Sequence, residues 1–128
     1  MIDSRSCLRL DKNVASSFYG RFTELREAQQ AAIEPLLAGL NIVLTSSTGS
    51  GKTEAVMAPL VNKHWREVVR NNNLFLLYIA PTKALVNDLE KRLHPPLTAL
   101  NLRTGVRHGG RDDMRRGPVP HVLIPPPE

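Results

Sequence analysis

The segment "NIVLTSSTGSGKTEA", Asn41 to Ala55, most constrains what this 128-residue chain can fold into. "NIVLT" is short, apolar and β-branched, which predicts a buried strand. Gly49 and Gly51 follow, then Lys52, Thr53 and an apolar-periodic run. A strand, a glycine-rich loop and a helix in that order make a backbone cradle for phosphate. The glycines let several N–H groups converge on one anion. Lys52 can reach the β- and γ-phosphates as a point charge, and Thr53 can place its hydroxyl on Mg²⁺. The helix N-terminus adds partial positive charge. The strict pattern has a glycine where this chain has Ser46, so a plain strand–turn–helix connection stands as the alternative.

Around that loop the pattern alternates between helix and strand. Residues from Met1 to about Ser17 show no clean period and read as an N-terminal lead-in, residues 1–17. "TELREAQQAAIEPLLAGLN" places Leu25, Ala28, Ala32 and Leu36 at helical spacing, with Gly39 as a stop. Pro35 lacks a donor, which predicts two short helices joined near Glu34. A helix from Lys52 to about Val69, kinked at Pro59, ends in a turn at Asn71–Asn73. "LFLLYIA" (Leu74–Ala80) reads as a parallel strand covered on both faces. "TKALVNDLEKRL" is amphipathic with Ala84, Leu85, Leu89 and Leu93 on one side, and Pro95 and Pro96 bend or end it. "NLRTGVRH" and "HVLI" supply further strands. The fold class is α/β, a parallel sheet flanked by helices with right-handed crossovers.

Composition narrows the partners. With 41% hydrophobic and 23% charged residues the chain suits a soluble globular domain. A net charge of +5 suits an anionic partner such as nucleic acid. The single Cys7 allows no internal disulfide, and no cysteine–histidine cluster offers a zinc site. His64, His94, His108 and His121 are scattered, as surface or packing histidines are. No apolar stretch approaches the roughly 20 residues of a membrane span, and no signal-peptide core opens the chain. A cytoplasmic protein with no membrane partner is the expectation.

"SSTGSGKT" resembles motif I of superfamily-2 helicases, whose usual form is A-x-T-G-x-G-K-T, with Ser46 in the alanine position. "LREAQQAAIEPLLAGLNIVL" resembles the Q-motif region of DEAD/DEAH-box helicases and puts Gln29 in the place of the adenine-recognising glutamine. A carboxamide donates and accepts at once, as that edge of adenine requires; a helix-surface glutamine is the alternative. The aromatic that stacks on adenine in some members could be Phe18, Tyr19 or Phe22. "YIAPTKALVNDL" resembles motif Ia. The resemblance implies that Pro81, Thr82 and Lys83 touch a nucleic-acid backbone; an ordinary Pro-Thr helix start is the alternative. Gly109 and Gly110 resemble the glycine pair that approaches the strand backbone, although "RTGVRHGGRDDMRR" could equally be a solvated turn and helix. "VLIPPPE" resembles motif Ib, with Pro125 and Pro126 where two threonines would donate to a phosphate.

In style the chain is most similar to Lhr-like and related DEAD/DEAH-box helicases. The resemblance implies that residues 18–128 form a partial RecA-like P-loop domain. It implies ATP and Mg²⁺ as cofactors, and DNA or RNA as partner. Gln29, Ser47, Thr48, Gly49, Ser50, Gly51, Lys52, Thr53 and Glu54 would line the nucleotide. Lys52 and Thr53 would be the catalytic pair, with Thr53 on the metal. Members hydrolyse ATP with a later D-E-x-[HD] motif and a second RecA-like domain. Neither is present: the nearest acidic pair, Asp112-Asp113, precedes the motif-Ib-like tail. The expectation is therefore the N-terminal fragment of an ATP-dependent helicase, truncated before the D-E-x-[HD] motif and inactive alone. The alternatives are a non-catalytic nucleic-acid-binding remnant of the same fold, or a small P-loop ATPase or kinase with no nucleic-acid role.

Overall fold

Asp11 starts the first helix: its carboxylate accepts the Asn13 N–H at 2.9 Å, and α1 follows at Lys12–Tyr19. This computed structural model describes residues 9–20, 24–47, 51–108, 111–112 and 119–125. The chain divides into two units, Met1–His64 and Trp65–Glu128. No apolar repeat over several turns marks α1, yet Leu10, Val14 and Phe18 stand four residues apart and all three are buried. That spacing was the available signal in a stretch expected to be a lead-in.

The second helix, α2, spans Glu27–Leu37 as one piece, with Pro35 inside it and not at a break. Pro35 removes a single helical hydrogen bond one turn from the end. Beyond it Leu36 packs with Ala32 and Ala55 in a buried cluster, which keeps the last turn in place. Gly39 then ends the helix at φ +83, a left-handed value that favours glycine. The Gly39 and Leu40 N–H groups donate to the Leu36 and Pro35 carbonyls, each at 3.0 Å, closing a Schellman motif.

Residues 41–47 form no strand, contrary to the reading of "NIVLT". A strand needs neighbours for its N–H and C=O groups, and the first unit, to which this run belongs, holds no strand among its described residues. The side chains nevertheless alternate. Ile42 and Leu44 pack against the Ala32–Leu36–Ala55 cluster, while Val43 is 92% exposed. Helix α3, Lys52–Asn71, runs unbroken through Pro59. The boundary between the two units falls within it.

In the second unit, β1 is Leu76–Leu77, β2 Thr104–His108, β3 Arg111–Asp112 and β4 Val122–Ile124. The sheet order is β1-β4-β2-β3. β4 pairs in parallel with both β1 and β2, while β3 pairs antiparallel with β2. Between β1 and β2 runs helix α4, Lys83–Ala99, packed on β2. The β2–β3 hairpin replaces part of the turn-and-helix alternative for the arginine-rich segment: Arg107 pairs with Asp112 and His108 with Arg111. Gly109 and Gly110 connect these paired positions and lie outside the described residues.

Three further expectations change here. The run Leu74–Ala80 is not covered on both faces, since Leu77 on β1 and Ile79 beyond it are 58% and 70% exposed. In α4 the buried residues are Val86, Leu89, Leu93 and Leu97, while Ala84 and Leu85 face outward. The helix also continues through Pro95 and Pro96. Fully buried Leu93 and Leu97 bracket the two prolines, so packing on both sides outweighs the two missing donors. Asn101 at φ +62 ends it, with the Leu102 N–H on the Leu97 carbonyl at 2.9 Å.

His121 ties the strands together. Its carbonyl accepts the Phe75 N–H at 2.9 Å, and its Nδ1 accepts the Arg103 N–H at 2.8 Å. Burial and the neighbouring Arg103 charge hold the imidazole below its ordinary pKa, so it is the neutral form that takes this bond.

Candidate nucleotide-phosphate site

α3 begins immediately after Gly51, and its first turn gathers the residues that motif I singles out. Gly51 has φ +78, and a Cβ built there would lie 2.4 Å from Gln29 Nε2 and 3.6 Å from Arg26 Cδ. Only a glycine lets the chain pass so close to α2 in that conformation. The Lys52 ammonium donates to the Ser46 carbonyl and, at 3.3 Å, to the Ser47 carbonyl. A cation held by carbonyl dipoles at a helix start can exchange those contacts for the oxygens of an anion. Thr53 and Glu54, on the same turn, are buried. Thr48, Gly49 and Ser50 lie outside the described residues.

Gln29 is wholly buried, not a surface residue of α2. Its Oε1 accepts the Arg26 N–H at 2.9 Å, and its Nε2 lies 3.5 Å from the Gly51 carbonyl oxygen. The carboxamide thus joins the start of α2 to the start of α3. Arg26, Glu27, Ala28, Ala31 and residues 44–47 line an open groove of about 440 Å³. Sequence reasoning passed over Arg26 and Ser46 as site residues. The signal for Ser46 was its position as the first residue of motif I; Arg26 had none beyond its place three residues before Gln29.

Of the aromatics considered for adenine stacking, Phe18 and Tyr19 are buried in the first unit, and Phe22 lies outside the described residues. Tyr19 donates its O–H to the Glu54 carbonyl at 3.0 Å.

The motif-Ia residues sit in the second unit, past the end of β1. Pro81, Thr82 and Lys83 are all exposed. Thr82 is the N-cap of α4, its Oγ1 accepting the Leu85 N–H at 3.2 Å. This hydroxyl, the Lys83 ammonium and the open N–H groups of the first turn are the donor types that phosphate contacts use. Among the described residues no group of three or more His, Cys, Asp or Glu side chains could hold a metal ion. No helix there is long and apolar enough to cross a membrane.

A family model described as DEAD/DEAH box helicase matches residues 26–125, which takes in the Gln29 segment, motif I and motif Ia together. The chain belongs to the DEAD/DEAH-box helicase family. Within that family it is Lhr-like. It is 32% identical over 90% of its length to the ATP-dependent helicase Lhr-Core of Methanothermobacter thermautotrophicus. It is 33% identical, again over 90% of its length, to the Lhr-Core helicase of Saccharolobus solfataricus. The chain spans 15% of each of these relatives. Its fold is similar to that of the Mycobacterium smegmatis helicase Lhr solved with ssDNA and AMP-PNP, with a TM-score of 0.80 and 27% identity. That likeness covers 97% of this chain and 18% of the solved one, and it supports a partial RecA-like P-loop domain.

Proposed function

We propose that this DEAD/DEAH-box chain binds the phosphates of ATP through its P-loop and contacts a DNA or RNA backbone, as one portion of an ATP-dependent helicase. The observation that carries the reading is the Lys52 ammonium on the Ser46 and Ser47 carbonyls, beside a Gly51 whose left-handed φ of +78 favours glycine. The residues fit the nucleotide. Lys52 would hold the β- and γ-phosphates, the N–H groups of residues 47–51 would surround them, and Thr53 would hold Mg²⁺. When bound, Mg²⁺ neutralises phosphate charge. Glu54 would line the nucleotide from the first turn of α3, and Gln29 would face adenine once its carboxamide turns from Arg26.

Pro81, Thr82 and Lys83, with Gly109 and Gly110, would contact the nucleic-acid backbone. The ssDNA and AMP-PNP in the similar Lhr structure support both ligand classes. The chain's own sequence has no Asp-Glu dyad after Lys52, the motif with which the family hydrolyses ATP, so binding alone is proposed.

Titration of the purified chain with a fluorescent ATP analogue and Mg²⁺, beside Lys52→Ala, tests the cradle. Saturable binding that the variant loses is the expected result; equal binding by both removes the P-loop from the reading. Steady-state ATP turnover is expected to stay at background. A steep salt dependence of oligonucleotide binding, shallower in Lys83→Ala, tests the backbone contact. Oligonucleotide binding without any nucleotide binding would instead favour a non-catalytic nucleic-acid module.

A further inference from the structure

We infer that Tyr19 is a positioning residue for the phosphate cradle, acting through the Glu54 carbonyl. The inference rests on the reading of Lys52 and Thr53 as phosphate and Mg²⁺ contacts. The Tyr19 side chain is fully buried, where a phenylalanine would fill nearly the same volume without a donor. Its O–H is 3.0 Å from the Glu54 carbonyl oxygen, across 35 residues of sequence. Glu54 lies in the first turn of α3, next to Lys52 and Thr53. A helical carbonyl receives its regular hydrogen bond from the residue four further on, so the Tyr19 hydroxyl is not needed to satisfy it. What the added bond does is fix where that turn sits.

The first turn of α3 is therefore held on two sides. Gln29 meets Gly51 at its start, and Tyr19 meets Glu54 from α1. Lys52 and Thr53 stand between the two contacts. Phosphate and metal contacts tolerate displacements of about half an ångström, so a support of this kind acts on affinity even though it touches no ligand.

The experiment compares the chain with Tyr19→Phe, Val14→Ala and Lys52→Ala. Each is titrated with a fluorescent ATP analogue and Mg²⁺ well below its melting temperature, with folding checked by circular dichroism. Val14 is buried in the same helix and makes no contact of this kind, so Val14→Ala lowers stability without touching the hydroxyl. Tyr19→Phe is expected to weaken nucleotide binding about three- to tenfold and to raise the Mg²⁺ concentration needed for half-maximal binding. Val14→Ala is expected to lower the melting temperature and leave both values near those of the unaltered chain. Unchanged affinity in Tyr19→Phe, or an equal loss in Val14→Ala, overturns the inference while the phosphate reading stands. Undiminished binding by Lys52→Ala overturns the phosphate reading and the inference with it.

Discussion

Gln29 fills the space that a side chain at Gly51 would need. The Gln29 Nε2 sits 2.4 Å from where a Cβ on Gly51 would be, and the Gln29 Oε1 is held at 2.9 Å by the Arg26 N–H. The carboxamide can turn aside only by giving up that hydrogen bond.

Gly51→Ala should therefore lose in two ways. A left-handed alanine costs about 1 kcal/mol, and the collision either displaces Gln29 or shifts the start of α3. We expect stability to fall by about 1–3 kcal/mol in urea unfolding, together with loss of saturable nucleotide binding. Adding Gln29→Ala should relieve the collision and leave the backbone strain. The double variant should then be more stable than the sum of the two single losses, a coupling that a double-mutant cycle measures.

His121 makes stability depend on pH. Its folded pKa is lowered from 6.5 by burial and by the Arg103 charge, so the native state binds fewer protons than the unfolded state. Its contribution is present in full above pH 6.5, declines below it, and is gone once pH falls through the lowered folded value. Melting temperature should drop on acidification from neutral pH. His121→Asn, which has no titrating ring, should flatten that slope while being less stable at neutral pH.

Leu77 on β1 and Ile79 just beyond it are exposed apolar side chains at the end strand in the order of the described sheet. Uncovered apolar side chains beside an edge strand favour association between copies. Sedimentation of the chain should depend on concentration. Ile79→Lys should reduce that dependence at little cost in stability, because the side chain is already 70% exposed.

The left-handed helix stops are a further check on the fold. Gly39→Ala and Asn101→Ala should each cost about 1 kcal/mol, since alanine is strained at φ values of +83 and +62. Asn101→Gly should cost nothing comparable. Shifts in the urea midpoint would separate these outcomes.

Much of the candidate site was legible because its chemistry is local. Gly51, Lys52 and Thr53 are consecutive, so spacing alone placed the positive φ, the cation and the hydroxyl at one helix start. Gly39 as a stop and Thr82 at the start of α4 were equally readable, as each acts on its own few neighbours. The order of the Gln29 segment, motif I and motif Ia was enough to indicate the helicase family.

Tertiary structure decided what depends on distant partners. "NIVLT" has the composition of a strand, but a strand exists only where another accepts its hydrogen bonds, and the first unit holds no strand among its described residues. Pro35, Pro95 and Pro96 read as helix breakers because propensity counts the lost donor and cannot count the burial of Leu36, Leu93 and Leu97 around them. The buried side of α4 includes Val86 and excludes Leu85, a choice made by packing on β2 and not by the period. Gln29 was found by its position in a motif. That it lies inside the protein, against a backbone 22 residues away, followed only from bringing α2 and α3 together. Periodicity reports which residues can share a face, and the fold determines which face has something to pack against.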